Sequence, residues 1–251
     1  MVFSLSALSR LESLHLGFQF PRSQADRTNR HPPLLTHVIL PVLTSIKFKG
    51  NSKYLEDIVF RINTSLLNSV TITFFNQLLF NLPLLRQFID HTEIFMACRQ
   101  AVILFYSYHI NITLFWQKGT ANHRTLQLGI SSKPLDWQLS SLAQLSSLFL
   151  PPFSLEHFGI YEDQYSQPLW QDDIESPQWL EILHPYTAVK DLELSRQLVR
   201  HVIPALGQLT GERLTEVLPA LQTLSLPGPQ PLGCVNKAIK GLLGCNSVTG
   251  G

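Results

Sequence analysis

Charge is scarce in this sequence and almost cancels. Charged residues are 15% of the 251 positions, and 19 basic side chains face 18 acidic ones. With so little net field, nothing draws the chain to phosphate backbones or to anionic lipid, so neither nucleic acid nor a membrane is expected as a partner. A low charge content also shifts surface polarity onto Ser, Thr, Asn and Gln, the pattern of a surface that a partner partly covers. Cysteine is equally sparse. Cys98, Cys234 and Cys245 are too few and too scattered for a disulfide framework, which points to a reducing compartment. The start, Met1 to Arg10, lacks the basic and then apolar run of a signal peptide, so a cytoplasmic or nuclear location is expected. The most apolar stretch, Ala101 to Trp116, is interrupted by His109 and Asn111 and is too short to span a bilayer.

Signatures of chemistry are missing too. There is no Gly-x-Ser-x-Gly elbow, no phosphate-binding Walker loop and no Gly-x-Gly-x-x-Gly turn after a strand. The nine histidines are dispersed without metal-ligand spacing, and no Cys-x-x-Cys occurs, so neither metal nor cofactor is expected. Cys98 reads as a small core or loop residue. One acidic group, Glu162, Asp163, Asp172, Asp173 and Glu175, with Trp170 and Trp179 beside it, could supply paired carboxylates. Acids gather naturally in loops and at helix N-termini, which is the plainer reading of that group.

What is present is a repeat. An apolar-x-x-apolar-x-apolar hexad occurs at Leu11/Leu14/Leu16, Leu43/Ile46/Phe48, Leu67/Val70/Ile72, Leu155/Phe158/Ile160, Val189/Leu192/Leu194 and Leu221/Leu224/Leu226. The last two apolar residues of each are spaced as on one face of a strand, and the first sits on the incoming turn. Helical periodicity fills the intervals: Ser52 to Ile62, Gln77 to Ile89, a stretch opened by Asp136 as N-cap, Glu175 to His184 with Ser176 capping and Pro177 in the first turn, and Gln197 to Leu218 with breaks near Pro204 and Gly211. Strand and helix alternating at this spacing imply a parallel sheet, and units that cannot bury their apolar faces alone must stack. The fold class expected is α/β, an irregular leucine-rich-repeat half-solenoid with a curved, mainly parallel sheet. Three close strands between about 100 and 130 predict an inserted β-meander. The repeat region spans 1–226, and 227–251 is expected to hold a loop, a closing helix over Val235 to Leu243 and a frayed end.

Three stretches carry a family likeness: Tyr54 to Ile62 running into Leu66 to Phe75, Trp170 to Glu175 through Trp179 to Lys190, and Gly211 to Leu221. Through them the chain resembles the F-box-like leucine-rich-repeat proteins of mushroom-forming fungi. That resemblance implies a target-binding repeat coupled to a ubiquitin ligase through an N-terminal F-box. Residue 8 already lies in the first Leu-rich unit, so ligase coupling is expected only if an F-box precedes this sequence. The function expected is a non-enzymatic protein-binding scaffold with an unknown protein target. The alternatives are an α/β hydrolase or transferase using the acidic group at 162–175, or a nonfunctional truncated fragment.

The hexads also predict a binding face. Residues alternating with the buried ones share the other side of the sheet: Ser13 and His15; Ser45, Lys47 and Lys49; Ser69, Thr71 and Thr73; His157 and Tyr161; Asp191 and Glu193; Thr223 and Ser225. This face is basic toward the front and acidic toward the back, and the candidate protein-binding residues are His15, Lys47, Lys49, Thr71, Thr73, His157, Tyr161, Asp191 and Glu193.

Overall fold

The computed structural model describes residues 9–18, 37–75, 77, 79–91, 98–118, 122–132, 135–149, 155–163, 165, 176–208, 217–226 and 248–250, with 116–118, 122–123, 176 and 248–250 described by their backbone alone. In chain order the elements are β1 (Ser13–Gly17), β2 (Val38–Ile39), β3 (Ser45–Gly50), α1 (Ser52–Val59), β4 (Ile62–Asn63), β5 (Ser69–Phe75) and α2 (Pro83–His91). There follow β6 (Gln100–Phe105), β7 (His109–Lys118), β8 (Asn122–Ser131), α3 (Leu135–Phe149) and β9 (His157–Glu162). The chain continues with α4 (Ser176–Leu183), β10 (Asp191–Leu194), α5 (Arg196–Gly207), β11 (Thr223–Leu226) and β12 (Val248–Gly250).

The protein is α/β, built on one large mixed and mostly parallel sheet in the order β1-β3-β5-β8-β7-β6-β9-β10-β11, with the short β12 beyond β11. Only β7 runs against its neighbours; the other pairs in this sheet are parallel. A separate parallel pair joins β2 to β4. Short strands with one apolar face align because a slip by one residue would turn every buried side chain to solvent. The register accordingly carries one apolar row across nine strands: Leu14, Ile46, Val70, Leu126, Leu114, Ala101, Phe158, Leu192 and Leu224 are successive partners. A second row runs through Leu16, Phe48, Ile72, Leu128, Ile112, Ile103, Ile160 and Leu194. All six hexads therefore lie in one sheet, their last two apolar residues in matching positions. The leading residues Leu43, Leu67, Leu155 and Val189 are buried, and Leu11 and Leu221 pack against the same core.

A repeated backbone device sets this register. The residue just before a strand offers one carbonyl to two successive N–H groups of the next unit. Glu12 O accepts from Thr44 and Ser45 at 2.9 and 3.2 Å, Thr44 O from Asn68 and Ser69 at 2.8 and 3.0 Å, and Arg99 O from Glu156 and His157 at 3.0 and 2.9 Å. Glu156 O then accepts from Lys190 and Asp191 at 2.8 and 3.0 Å, and Lys190 O from Gln222 and Thr223 at 2.7 and 2.9 Å.

The appearance of Arg99 in that series identifies a unit that the hexad pattern does not include. Cys98, Ala101 and Ile103 keep the same spacing, all three are buried, and β6 pairs directly with β9. The expected β-meander is present as β6-β7-β8, but it corrects the simple succession of strands. After β5 the chain crosses to β6, and β7 and β8 then fold back into the space between them, so the parallel neighbour of β5 is β8.

The helices cover the apolar rows from one side. α1 packs on β3, β4 and α2, α3 on β7, β8 and α4, and α5 on α4 and β9. Their boundaries differ from the periodicity in instructive ways. α1 begins after Asn51, whose Oδ1 accepts from Lys53 N at 3.0 Å, and ends before Ile62, which pairs with Val38 as a strand residue. α2 starts at Pro83, a residue suited to a first helical position, and not at Gln77. Gln77 instead bridges elements: its side chain accepts from Ser52 N at 3.1 Å, and its carbonyl accepts from the Ser141 hydroxyl at 3.0 Å. Asp136 lies inside the first turn of α3, which opens at Leu135. α5 continues through Pro204 to Gly207; Gly211 and the expected closing helix lie outside the described residues, and 248–250 pair with β11 where a frayed end was expected.

Two polar contacts show how the helical layer is fixed. Tyr186, fully buried and stacked on Phe158 with centroids 4.2 Å apart, donates its hydroxyl to Ser146 Oγ at 3.0 Å. Glu56 on α1 receives the N–H groups of Leu84 and Leu85 at 2.9 and 2.8 Å, so one helix caps the exposed donors of the next. Glu56→Ala leaves both donors without that carboxylate. It is expected to lower stability by about 1–2 kcal/mol in urea unfolding, whereas a surface change on the same helix, Lys53→Ala, is expected to cost less than about 0.5 kcal/mol.

Candidate functional site

On the sheet face away from the helices, the alternation with the core rows leaves an exposed polar surface. Every candidate residue lies on it. His15 on β1, Lys47 on β3 and Thr71 on β5 are successive partners, as are Lys49 and Thr73. His157 pairs with Asp191 and Gly159 with Glu193, while Tyr161 stands two residues further along β9. His15, Lys47, Lys49, His157 and Glu193 are exposed, and Thr71, Thr73, Tyr161 and Asp191 are half-buried.

The structure does not bring the two halves of this set together. Between Thr73 and Tyr161 lie β8, β7 and β6, which add Gln127, Thr113 and Val102 in one row and Gly129, Asn111 and Leu104 in the next. Phe115 on β7 and Phe75 on β5 share this face and are half-buried. The centre is therefore more apolar than the ends. The hexad spacing misses these residues because it skips the unit at Cys98; the alternation of Thr125, Gln127 and Gly129 with Leu126, Leu128 and Ile130 was a signal that could have found them.

Local contacts differ between the ends. At the basic end, Lys49 Nζ stands 5.1 Å from the centroid of Phe75, within cation–π range, and Ser13 Oγ lies 3.1 Å from His15 Nε2. Among the described residues, no acid lies within ion-pair distance of Lys47 or Lys49. The acidic groups at the other end are held. Asp191 Oδ2 is 2.7 Å from His157 Nδ1, and Glu193 accepts the Tyr161 hydroxyl. The ring of Tyr161 lies over Gly159, where an added Cβ would meet its Cε2 at 2.5 Å and its hydroxyl oxygen at 2.8 Å. A side chain at 159 would displace that ring. Partial burial, then the hydrogen bond to Glu193 and its charge, push Tyr161 ionisation well above the usual phenol range.

His109 sits at the start of β7 and stacks on Tyr106 with centroids 3.9 Å apart. Its pKa is lowered from 6.5, first by desolvation, with Asp163 pulling it up and Lys49 pushing it down. The imidazole thus senses both an acid and a base.

The other chemical candidates lie partly within the described residues. Glu162 ends β9 and Asp163 follows it, its N–H donating to Phe105 O at 2.8 Å, while Trp170, Asp172, Asp173 and Glu175 lie outside the described residues. Trp179 is fully buried in α4 against Phe105, centroids 5.8 Å apart. Cys98 is buried in the core, and burial pushes its thiol up to about 11. Among the described residues no three His, Cys, Asp or Glu are grouped to hold a metal ion, and no helix is long and apolar enough to cross a membrane. No family model, curated protein or solved structure matches the chain.

Two titrations probe this face. Gly159→Ala is expected to lift Tyr161 from Glu193, so that ultraviolet titration shows one additional tyrosine ionising near pH 10, a phenol that Tyr161→Phe removes; an unchanged alkaline profile would refute the contact. His109 has the opposite sign from a stabilised imidazolium. Its folded pKa lies below 6.5, so the unfolded chain binds the proton first and stability falls as the pH drops below about 6.5. In His109→Gln the slope of unfolding free energy against pH is expected to flatten in that range, read by urea melts from pH 7 to pH 5.

Proposed function

We propose that this chain is a non-enzymatic protein-binding scaffold, an irregular leucine-rich-repeat half-solenoid that receives its partner on the polar face of the sheet. The observation that supports this reading is the continuity of that face. Nine strands in common register present their outward residues as one surface, with exposed lysines at one end and carboxylates at the other. A sheet face of this kind offers many side chains in fixed relative positions, which suits recognition of a protein surface or segment more than capture of a small molecule.

The resemblance to F-box-like leucine-rich-repeat proteins extends the proposal to target recognition for a ubiquitin ligase in the cytoplasm or nucleus. This coupling would require an F-box upstream of the repeat. Target binding is the part of that role that the chain's own residues would perform.

Site-specific photo-crosslinking separates the two faces. With a benzophenone side chain at Thr71 or Thr113, a defined protein adduct is expected from cell extract, and at Ser140 on the outer surface of α3 none is expected. Reversing Lys47, Lys49, Asp191 and Glu193 together (K47E, K49E, D191K, E193K) is expected to reduce the adduct at Thr113 at least tenfold. Equal adducts from both faces, or an adduct indifferent to the four reversals, would end the reading.

A further inference from the structure

Resting on that reading of the sheet face, we infer that its partner is an extended polypeptide segment with three blocks, acidic at one end, apolar in the middle and basic at the other, laid across the strands from β3 to β10. The inference comes from how charge and apolar surface are distributed in the register. Lys47 and Lys49 stand on β3 with no acid among the described residues in ion-pair reach, and Asp191 and Glu193 stand on β10. Between them, among the described residues, the outward face carries Val102, Leu104, Phe115 and Phe75, half-buried among hydroxyl and amide side chains, with His109 and Asp163 at its rim. Six strand-to-strand steps separate β3 from β10 in the sheet. At about 4.8 Å per step this is roughly 29 Å, the reach of about nine residues of extended chain.

The three blocks perform different work. Exposed lysines attract carboxylates and add orientation and on-rate more than affinity. Apolar side chains over Val102, Leu104 and Phe115 would remove half-exposed hydrocarbon from water. The acids are already oriented, since His157 Nδ1 holds Asp191 and the Tyr161 hydroxyl holds Glu193, and a carboxylate can accept further donors from lysine or arginine. His109, which feels both Lys49 and Asp163, marks the same polarity at the rim of the face.

The test uses synthetic peptides of about twelve residues, fluorescently labelled, with the full chain at low salt. Two carry an Asp-Asp block, a Leu/Phe block and a Lys-Lys block in either chain direction; a third has the same composition with the charges interspersed; a fourth has lysines at both ends. One of the two block peptides is expected to bind at least tenfold tighter than the interspersed one, with affinity falling as salt rises. K47E/K49E should weaken that peptide at least tenfold and bind the lysine-ended peptide at least tenfold better than the unaltered protein does. Because Lys47, Lys49 and Glu193 are exposed and Asp191 is only half-buried, melting temperatures should stay within a few degrees, which circular dichroism checks.

Equal binding of block and interspersed peptides, or no exchange of preference in K47E/K49E, would overturn the inference. Sedimentation covers the other occupant, a second copy of the chain. A dimer that dissociates in K47E/K49E and re-forms on mixing with D191K/E193K would also overturn it, because the face would then be complementary to itself. If both block peptides fail while the Thr113 crosslink still captures a protein, the segment inference falls and the scaffold reading stands.

Discussion

Alignment of strand against strand is the constraint on which this molecule depends. Each strand is too short to hold a core by itself, and each has one apolar face. Partners must therefore meet at the same residue, and at five positions a shared carbonyl just before a strand brings this about. By accepting two successive N–H groups of the next unit, Glu12, Thr44, Arg99, Glu156 and Lys190 lock the entry point of the following strand. From that point the period of two carries the rest. One side of the sheet becomes the buried rows from Leu14 to Leu224, and the other becomes the polar surface, so core and candidate site are two outcomes of the same register.

The dependence explains why burial and surface chemistry are so sharply divided. Lys47 and Lys49 alternate with Ile46 and Phe48, which are almost wholly excluded from water. A charged side chain in the row of Ile46 would face α1 and its neighbours with no means of solvation, and a phenylalanine in the row of Lys47 would merely lie on the surface. The layer of helices reinforces the division by satisfying its own polar ends internally, as Glu56 does for α2 and Ser146 for Tyr186.

Much of this is legible in the residues and some is not, for physical reasons. Hexads with Leu, Ile, Val and Phe state their strand period openly, and their leading residue marks the incoming turn; all six fall in one sheet, and the meander lies where three β-branched and aromatic runs crowd together. The unit at Cys98 is hidden because a cysteine and an alanine carry little apolar signal, although both are fully buried. Helix starts depart from the periodicity where capping comes from elsewhere in the chain: no local pattern around Gln77 or Pro83 announces that Glu56, on another helix, will hold the N-terminus of α2. For the candidate site, which residues face outward can be read directly. Their separation cannot, since sheet order is decided by long-range pairing and three strands enter between the two halves.

The order of strands has a further consequence, for assembly. The connection from β5 to β6 passes over the places of β8 and β7, and that from β8 to β9 passes over those of β7 and β6, so the two spans overlap. A chain whose units each touched only the preceding one could grow from either end and lose its last unit without harm to the first. Within the sheet, the front strands meet the back strands through the hairpin of β7 and β8, which follows in the sequence the two strands that flank it. Taking that piece away would part the sheet into two, so the stabilities of its halves are coupled through its middle and not only from one neighbour to the next.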